Sequence, residues 1–381
     1  MDADERRARM VLSRVVEPGD VDACRLVREH SGAALLMRLQ AGAELAQPKV
    51  RDWSERLDRA DHDQLTGLAA SVGARYVCPG DDEWPSSLND LQRLEDEAGD
   101  RQGGAPFGLW VRGSGQLREL TQRSVAIVGA RASTAYGEHV AGALAFRCAE
   151  QGFTVVSGGA FGIDAAAHRG VLALSGGTVA VMAGGVDRLY PAGNTQLLKR
   201  VAQTGLVVSE AAPGCVPSRW RFLVRNRLIA ALTQGTVVVE AALRSGSLNT
   251  ARWALDLSRL VMGVPGPVTA TSSAGVHELL RQPETLLVTD GDEVVEHISP
   301  SGEGLAPVKQ GPTNARDRLH PRSRQLLDAI PIVMAATSES IAKAAGLSHS
   351  DVVDRLHGLE HLGAVVREDG DRWRIVRRCS R

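Results

Sequence analysis

The sequence predicts a doubly wound α/β fold, in which helices cover both faces of a mostly parallel sheet. Six short apolar runs alternate with segments of helix length between residues 124 and 264. The runs are continuously apolar and rich in β-branched residues, as strands buried on both faces are. Four of them end in glycine or other small residues, so we expect a ligand groove where the strand ends meet. The predicted strands are Val125–Val128, Thr154–Ser157, Thr178–Met182, Leu206–Ser209, Thr236–Glu240 and Leu260–Val264.

Length and composition predict a cytoplasmic protein of two or three domains. The chain has 381 residues, of which 43% are hydrophobic and 23% charged. No apolar run approaches the roughly 20 residues of a membrane span, and the opening MDADERRARM lacks the apolar core of a signal peptide. The five cysteines are scattered without a CxxC spacing, which argues against a zinc site or a disulfide framework. We therefore expect no membrane, no metal and no cofactor.

The net charge of −1 conceals a basic central region. Residues 123–266 hold 14 Arg and Lys against 7 Asp and Glu. Residues 211–239 hold four arginines and no acid, and Trp220 and Phe222 alternate with these arginines. Basic charge interleaved with aromatic rings is typical of single-stranded nucleic-acid binding. The alternative is a solvated basic face with both aromatic side chains in the core.

The regions outside the sheet are predicted from the positions of Gly and Pro and from the periodicity of hydrophobic residues. Residues 1–64 are helical in pattern and form a small all-α module for packing or protein contact. Residues 65–298 hold the sheet, which two more short strands in ARYVCPG and FGLWVRG extend. Residues 299–317 are rich in Pro, Gly and Ser and form a linker.

Residues 318–381 show the pattern of a winged helix, which is three helices followed by a hairpin. The predicted helices are 321–330, 338–345 and 348–362, and the hairpin turns at 368–371.

The segment SVAIVGARASTAYG, residues 124–137, predicts a strand that ends at Gly129 and leads into a helix near Gly137. This turn places free backbone N–H groups at the sheet edge, where phosphorylated ligands bind. The spacing is not GxGxxG, which argues against an NAD-dependent oxidoreductase. Arg131 stands where that motif requires bare backbone, so we expect a guanidinium to bind phosphate here.

The segment SGGAFGID, residues 157–164, predicts a second strand, glycine turn and helix. Gly158 and Gly159 let the backbone approach a ligand closely. Asp164 and His168 are four residues apart on the helix and could form an acid–histidine pair. We favour a structural role for them, because no nucleophile or metal-ligand cluster accompanies them.

The segment RWRFLVRNRLIAAL, residues 219–232, predicts a helix with an anion clamp. Arg225 and Arg227 lie about 200° apart on an ideal helix, so they cannot point the same way. Either the helix begins within Arg225-Asn226-Arg227, or one arginine holds the ligand while the other braces the loop.

Six segments of the sequence, taken in order, together resemble the DprA/Smf family of DNA-processing proteins. They are VGARASTAYG, SGGAFGIDAAAH, GGVDRLYPAGN, VRNRLIA, VVVEAALRSGSLNTA and VMGVPG, and the resemblance covers about residues 84–298. It implies an extended Rossmann-like fold between a SAM-like helical domain and a winged helix. In one respect the sequence departs from the family, because Leu223-Val224 follows Phe222 where the family has proline.

The resemblance also implies a function: binding of single-stranded DNA as a homodimer and loading of the RecA recombinase during DNA uptake. The residues that it places at DNA are Gly129, Arg131, Ser157, Gly158, Gly159, Arg169, Arg225, Asn226 and Arg227.

The alternative is an enzyme. Thr236–Glu240 resembles the GT…E stretch of related folds that hydrolyse nucleotides. Those enzymes place paired glycines before the threonine, whereas Gln234-Gly235 precedes it here. We therefore expect a binding protein without catalytic residues.

Overall fold

The computed structural model describes residues 1–42, 48–58, 60–94, 103–174, 176–309, 311 and 316–376. The chain divides into two compact units, Met1–Ala306 and Pro307–Arg381. Within the described residues, no helix has the length and apolarity needed to cross a membrane. Four cysteines are buried, and Cys379 lies outside the described residues.

The first unit begins with five short helices. The first four pack around an apolar cluster that includes Leu12, Trp53 and, from beyond the helices, Phe107, whereas the fifth packs through Leu65 and Ala69 in a cluster with residues of the sheet. Asp20 and Asp61 cap the second and fifth helices with their side chains. The boundary predicted at residue 64 falls inside the fifth helix. The helices are α1 (Ala3–Val15), α2 (Val21–His30), α3 (Gly32–Gln40), α4 (Pro48–Leu57) and α5 (His62–Ser71).

The remainder of this unit is a nine-stranded sheet with its helices. The elements are β1 (Ala74–Val77), β2 (Leu109–Arg112), α6 (Leu117–Gln122), β3 (Ser124–Val128), α7 (Ala135–Glu150), β4 (Thr154–Ser157), α8 (Ile163–Leu172), β5 (Thr178–Met182), α9 (Thr195–Thr204), β6 (Leu206–Ser209), α10 (Arg219–Ala231), β7 (Gly235–Val238), α11 (Gly246–Asp256), β8 (Leu260–Gly263), α12 (Ala274–Leu280), β9 (Thr285–Leu287) and α13 (Gly291–Ile298). Two short 3₁₀ segments, Ser86–Leu94 and Ala192–Asn194, complete it.

The strand order is β1-β2-β6-β5-β4-β3-β7-β8-β9. All pairs from β6 to β9 are parallel, while β1 and β2 add antiparallel strands at one edge. The mostly parallel sheet and its six predicted strands are confirmed, although β7 and β8 end before Glu240 and Val264. The order reverses between β3 and β7, and in open α/β sheets a crevice for ligands lies at such a reversal.

Alternate residues of β3 show why its run is continuously apolar. Val125 and Ile127 pack with α7, α8 and α13 on one face of the sheet. Ala126 and Val128 pack with α10 and α11 on the other. A strand covered on both faces has no polar side, so the apolar run predicts it correctly.

The second unit has three helices and a small sheet around Trp373, which is 1% exposed. The hairpin lies where the sequence predicts it, and the two-residue strand β10 adds an unpredicted third strand in the order β10-β12-β11. The elements are α14 (Pro321–Ala329), β10 (Ala336–Thr337), α15 (Ser338–Ala345), α16 (His349–His361), β11 (Val365–Glu368) and β12 (Arg372–Ile375).

Candidate nucleic-acid interface

A cavity of about 490 Å³ lies at the reversal of strand order, beyond the carboxyl ends of β3 and β7. Its walls come from the loop after β3, the start of α8, the middle of α10 and the start of α11. Among the residues that line it are Gly129, Arg131, Asp164, Phe222, Arg225, Asn226, Arg244 and Ser247.

The loop after β3 requires glycine at position 129. A Cβ atom there would lie 2.6 Å from Cγ1 of Ile163 and 2.9 Å from the carbonyl oxygen of Glu240. The next residue, Ala130, donates its N–H to that same carbonyl at 2.7 Å. These contacts fix the backbone immediately before Arg131. The exposed guanidinium of Arg131 lies 4.6 Å from the centre of the Phe222 ring.

The N-terminus of α7 is not open to a ligand, which corrects the sequence-based expectation. The buried carboxylate of Glu240 accepts the Thr134 N–H at 2.9 Å and the Thr134 hydroxyl at 2.6 Å. The Thr134 hydroxyl oxygen in turn accepts the Gly137 N–H at 3.1 Å. An internal anion thus occupies the place that phosphate takes in dinucleotide-binding folds. We therefore expect arginine side chains, and not the N-terminus of α7, to bind an anion in the cavity.

Arg225 is the buried arginine of the cavity, 6% exposed. Its Nη1 donates to the carbonyl oxygens of Val181 and Gly158, the latter at 2.8 Å. Burial lowers the pKa of Arg225 to about 10; the nearby Asp164 opposes this and Arg131 adds to it. The guanidinium remains charged at neutral pH and is held rigidly by backbone at the ends of β4 and β5.

Asn226 also lines the cavity and connects α10 to α11. Its Nδ2 donates to the Gly246 carbonyl at 3.1 Å and to Oδ1 of Asn249 at 3.4 Å. These bonds fix the start of α11 against the middle of α10.

The structure does not bring Arg227 to the cavity. The side chain is fully buried, and its Nη2 lies 2.8 Å from the Glu210 carboxylate. Its Nε donates to the Gly104 carbonyl at 3.1 Å, and Gly19 donates its N–H to Glu210 at 3.1 Å. Because α10 begins at Arg219, the helix does not begin within Arg225-Asn226-Arg227; Arg225 faces the cavity, whereas Arg227 is buried against Glu210.

Ser157, Gly158 and Gly159 lie behind the cavity and are buried. The Ser157 hydroxyl donates to the Ile127 carbonyl at 2.7 Å, so it joins β4 to β3. Gly159 has a φ of 67°, and Asn194 donates from Nδ2 to its carbonyl at 3.0 Å. These residues shape the turn that carries Asp164 and do not themselves line the cavity.

Arg169 lies on the exposed face of α8, where it pairs with Glu138 at 3.3 Å. It is absent from the lining of the cavity. Its predicted contact with DNA therefore has no counterpart in this geometry.

Asp164 and His168 do not form a pair with each other. Asp164 accepts the N–H groups of Gly158 and Ala160 at 3.1 and 3.4 Å, and burial raises the pKa of its carboxyl group. His168 bonds through Nδ1 to the Thr178 hydroxyl at 2.9 Å, and burial lowers its pKa to about 4.

A wider opening continues outward from the cavity, with a volume of about 830 Å³, and we call it the basic groove. Four exposed arginines line it: Arg131, Arg188, Arg219 and Arg244. Within the described residues, three of them have no carboxylate partner, whereas Arg188 lies 3.8 Å from Asp187. The rings of Tyr190 and Phe222, 5.7 Å apart, form its aromatic wall.

Sequence reasoning did not single out Arg188 or Arg244. Both follow closely after a strand end, Arg188 after β5 and Arg244 after β7. A search for basic residues within a few positions of each strand end would have found them.

The fold and the groove together define a protein of the doubly wound α/β class with a basic, aromatic-walled groove at the reversal of its strand order. The chain belongs to the DNA recombination-mediator protein A family, whose model matches residues 75–299. The resemblance to the DprA/Smf family is thereby confirmed.

Relatives of known name or structure cover most of the chain. A DNA processing protein DprA of Mycobacterium tuberculosis is 46% identical over 374 residues, which are 97% of this chain and 94% of the relative. The solved DprA structure from Streptococcus pneumoniae is 30% identical, with a TM-score of 0.61, over 74% of this chain and 94% of that one. The structure of DNA processing protein A from Helicobacter pylori, described for its single-stranded DNA binding mode, is 27% identical, with a TM-score of 0.50, over 59% of this chain and 95% of that one.

Proposed function

We propose that this recombination mediator binds single-stranded DNA in the basic groove and its inner cavity. The observation that carries the proposal is the convergence of four exposed arginines on the aromatic wall formed by Tyr190 and Phe222. Guanidinium groups bind backbone phosphates without regard to sequence, and ring faces stack on any base. The binding mode described for the Helicobacter pylori relative supports the same ligand.

Arg131 and Arg225 have different tasks in this proposal. Arg131 stands at the mouth of the cavity and is free to follow a phosphate of the strand. Arg225 is fixed by the Gly158 and Val181 carbonyls, so it presents a preorganised charge deeper in the cavity. The Phe222 ring lies within 4.6 Å of the first guanidinium and 5.8 Å of the second, so ring and charges act on the same nucleotide.

We further propose binding without turnover. The carboxylate of Glu240, which is the acid of the GT…E alternative, accepts bonds from both Thr134 donors and is 2% exposed. Asp164 accepts a hydrogen bond from the Gly158 N–H, and His168 bonds to the Thr178 hydroxyl. Because they bond to other groups and not to each other, they do not form an acid–base pair for catalysis.

From the family resemblance we also propose that the chain acts in the cytoplasm as a homodimer and helps to load RecA. In this proposal, residues 318–381 form a winged helix that works through protein contacts.

The test is an equilibrium titration with single-stranded and duplex DNA of equal length at two salt concentrations. We expect tighter binding of the single strand, little dependence on base sequence, and weakening as salt rises. Equal affinity for the two forms at matched salt would contradict the proposal.

A further inference from the structure

Trp220 differs from the other tryptophans of the chain. All six lie within the described residues, and five are between 0% and 7% exposed, whereas Trp220 is 47% exposed. The alternative in which Trp220 lies in the core is therefore wrong. A half-exposed indole is apolar surface that a binding partner can cover. The five buried residues are Trp53, Trp84, Trp110, Trp253 and Trp373.

The surroundings of Trp220 point to the kind of partner. It lies in the first turn of α10, next to Arg219, which lines the basic groove. Leu223, three residues further on, is on the same side of the helix, is 40% exposed, and lines both the groove and the cavity. The indole itself is not among the residues that line the groove, but it lies next to the groove's edge, between Arg219 and Leu223, which both line it. Arg219 has no carboxylate partner among the described residues.

An exposed indole one residue from a guanidinium that lines the groove suits a nucleotide, because the ring can cover a base while the charge meets a phosphate. An apolar protein partner would leave Arg219 desolvated and without an anion. The combination thus favours a base of a single strand over an apolar protein surface.

We propose that Trp220 is a stacking platform for a base outside the cavity, and that it extends the single-strand site along the first turn of α10. This inference rests on the proposed function of the groove. The platform adds affinity without sequence preference, since every base presents a ring face.

The first experiment compares the full chain with Trp220→Ala and Trp220→Phe in titrations with an oligothymidylate. We expect Trp220→Ala to weaken binding about tenfold, or about 1.4 kcal/mol, and Trp220→Phe to retain most of the affinity. The log–log salt slope stays unchanged, because no charge is removed. Leu287→Ala, at an exposed apolar side chain on edge strand β9, is the matched control and keeps wild-type affinity.

The second experiment measures tryptophan fluorescence. Because the other five indoles are buried, quenching by a bound strand reports on Trp220. We expect quenching by the oligothymidylate and none by an oligonucleotide of abasic sugars, to which wild type and Trp220→Ala bind equally well.

The outcomes separate this inference from the proposed function. Suppose that wild type and Trp220→Ala bind single strands equally well and that the strand does not quench wild-type fluorescence. The stacking role of Trp220 is then wrong, while the proposed DNA binding in the basic groove is unaffected. If Trp220→Ala weakens binding of the abasic strand to the same degree, the indole supports the helix and does not stack. If the wild type binds no single strand, both fail.

Discussion

Arg227 and Glu210 form a buried ion pair, 2.8 Å apart, between α10 and the end of β6. The pair also holds backbone at Gly19 and Gly104, so it fixes the N-terminal helices to the sheet. Burial raises the pKa of Glu210, opposed by Arg227. A charge left alone at this depth is strongly destabilising.

The first prediction concerns this pair. Arg227→Ala leaves Glu210 buried without its partner, so we expect the free energy of unfolding to fall by about 3–5 kcal/mol. Chemical denaturation monitored by circular dichroism measures the change. For the protein that remains folded, the salt slope of DNA binding should equal that of the wild type. A stable variant with a reduced slope would place Arg227 at the DNA instead.

The second prediction concerns the arginines of the basic groove. Arg131→Ala and Arg219→Ala each remove one phosphate contact, so each should lower the log–log salt slope for single strands by about 0.7. Arg169→Ala is the matched control, since Arg169 on α8 is also exposed but pairs with Glu138 on α7. We expect the slope of this control to be unchanged. A drop for Arg169 alone would show that the DNA follows α8.

The sheet could be predicted because its signal is local. Each central strand is covered on both faces, and an apolar run between glycines shows this directly. Strand β9 and the two-residue strand β10 were missed, because runs of two or three residues carry no periodicity. The reversal between β3 and β7, which positions the cavity, follows from the strand order and not from any one segment.

The roles of the arginines could not be predicted, because their partners are distant in sequence. In the acid-free stretch 211–239, Arg221 pairs with Glu17 at 2.9 Å and Arg227 with Glu210. Both acids come from outside the stretch, so a local charge count overstates the basic surface. The helical spacing of Arg225 and Arg227 did predict that they diverge, and only the tertiary contacts show which of them faces the cavity.

The third prediction tests the closed N-terminus of α7. Gly137→Ala would place a methyl group where the Glu240 carboxylate lies, so we expect a loss of about 1–3 kcal/mol in stability. Alanine ordinarily stabilises a helix relative to glycine by about 0.5–1 kcal/mol. Gly142→Ala in the same helix is the control: its new Cβ lies 3.8 Å from the nearest atom, the Ala166 carbonyl oxygen, and should stabilise. Thermal denaturation of both variants should show shifts of opposite sign.

The fourth prediction concerns pH. Burial lowers the pKa of His168 to about 4 in the folded chain, against about 6.5 in an unfolded one. The unfolded chain thus binds the proton more readily, and the contribution of neutral His168 is complete above pH 6.5 and lost as pH falls towards 4. Relative to His168→Asn, the wild type should lose up to about 3 kcal/mol across this window. Buried acids such as Asp164 titrate in both proteins and largely cancel. Parallel stability curves would show that His168 does not titrate there.

The last prediction concerns the second unit: its removal after Ala306 should leave single-strand affinity nearly unchanged. In the winged helix that we propose for residues 318–381, the third helix would read DNA, and its exposed face should then be basic or rich in amides. Here that helix, α16, exposes Asp354, and its Asp351 already holds Arg355 at 2.9 Å and Arg322 at 3.3 Å. In the hairpin, Arg374 pairs with Glu368 at 2.8 Å, so the Arg374 guanidinium is not free to bind phosphate either. Titration with a single strand near pH 8 compares the truncated and full chains, and a melting curve checks that the first unit stays folded. A loss of more than about tenfold, or about 1.4 kcal/mol, would make the second unit a DNA-binding domain in spite of its charge.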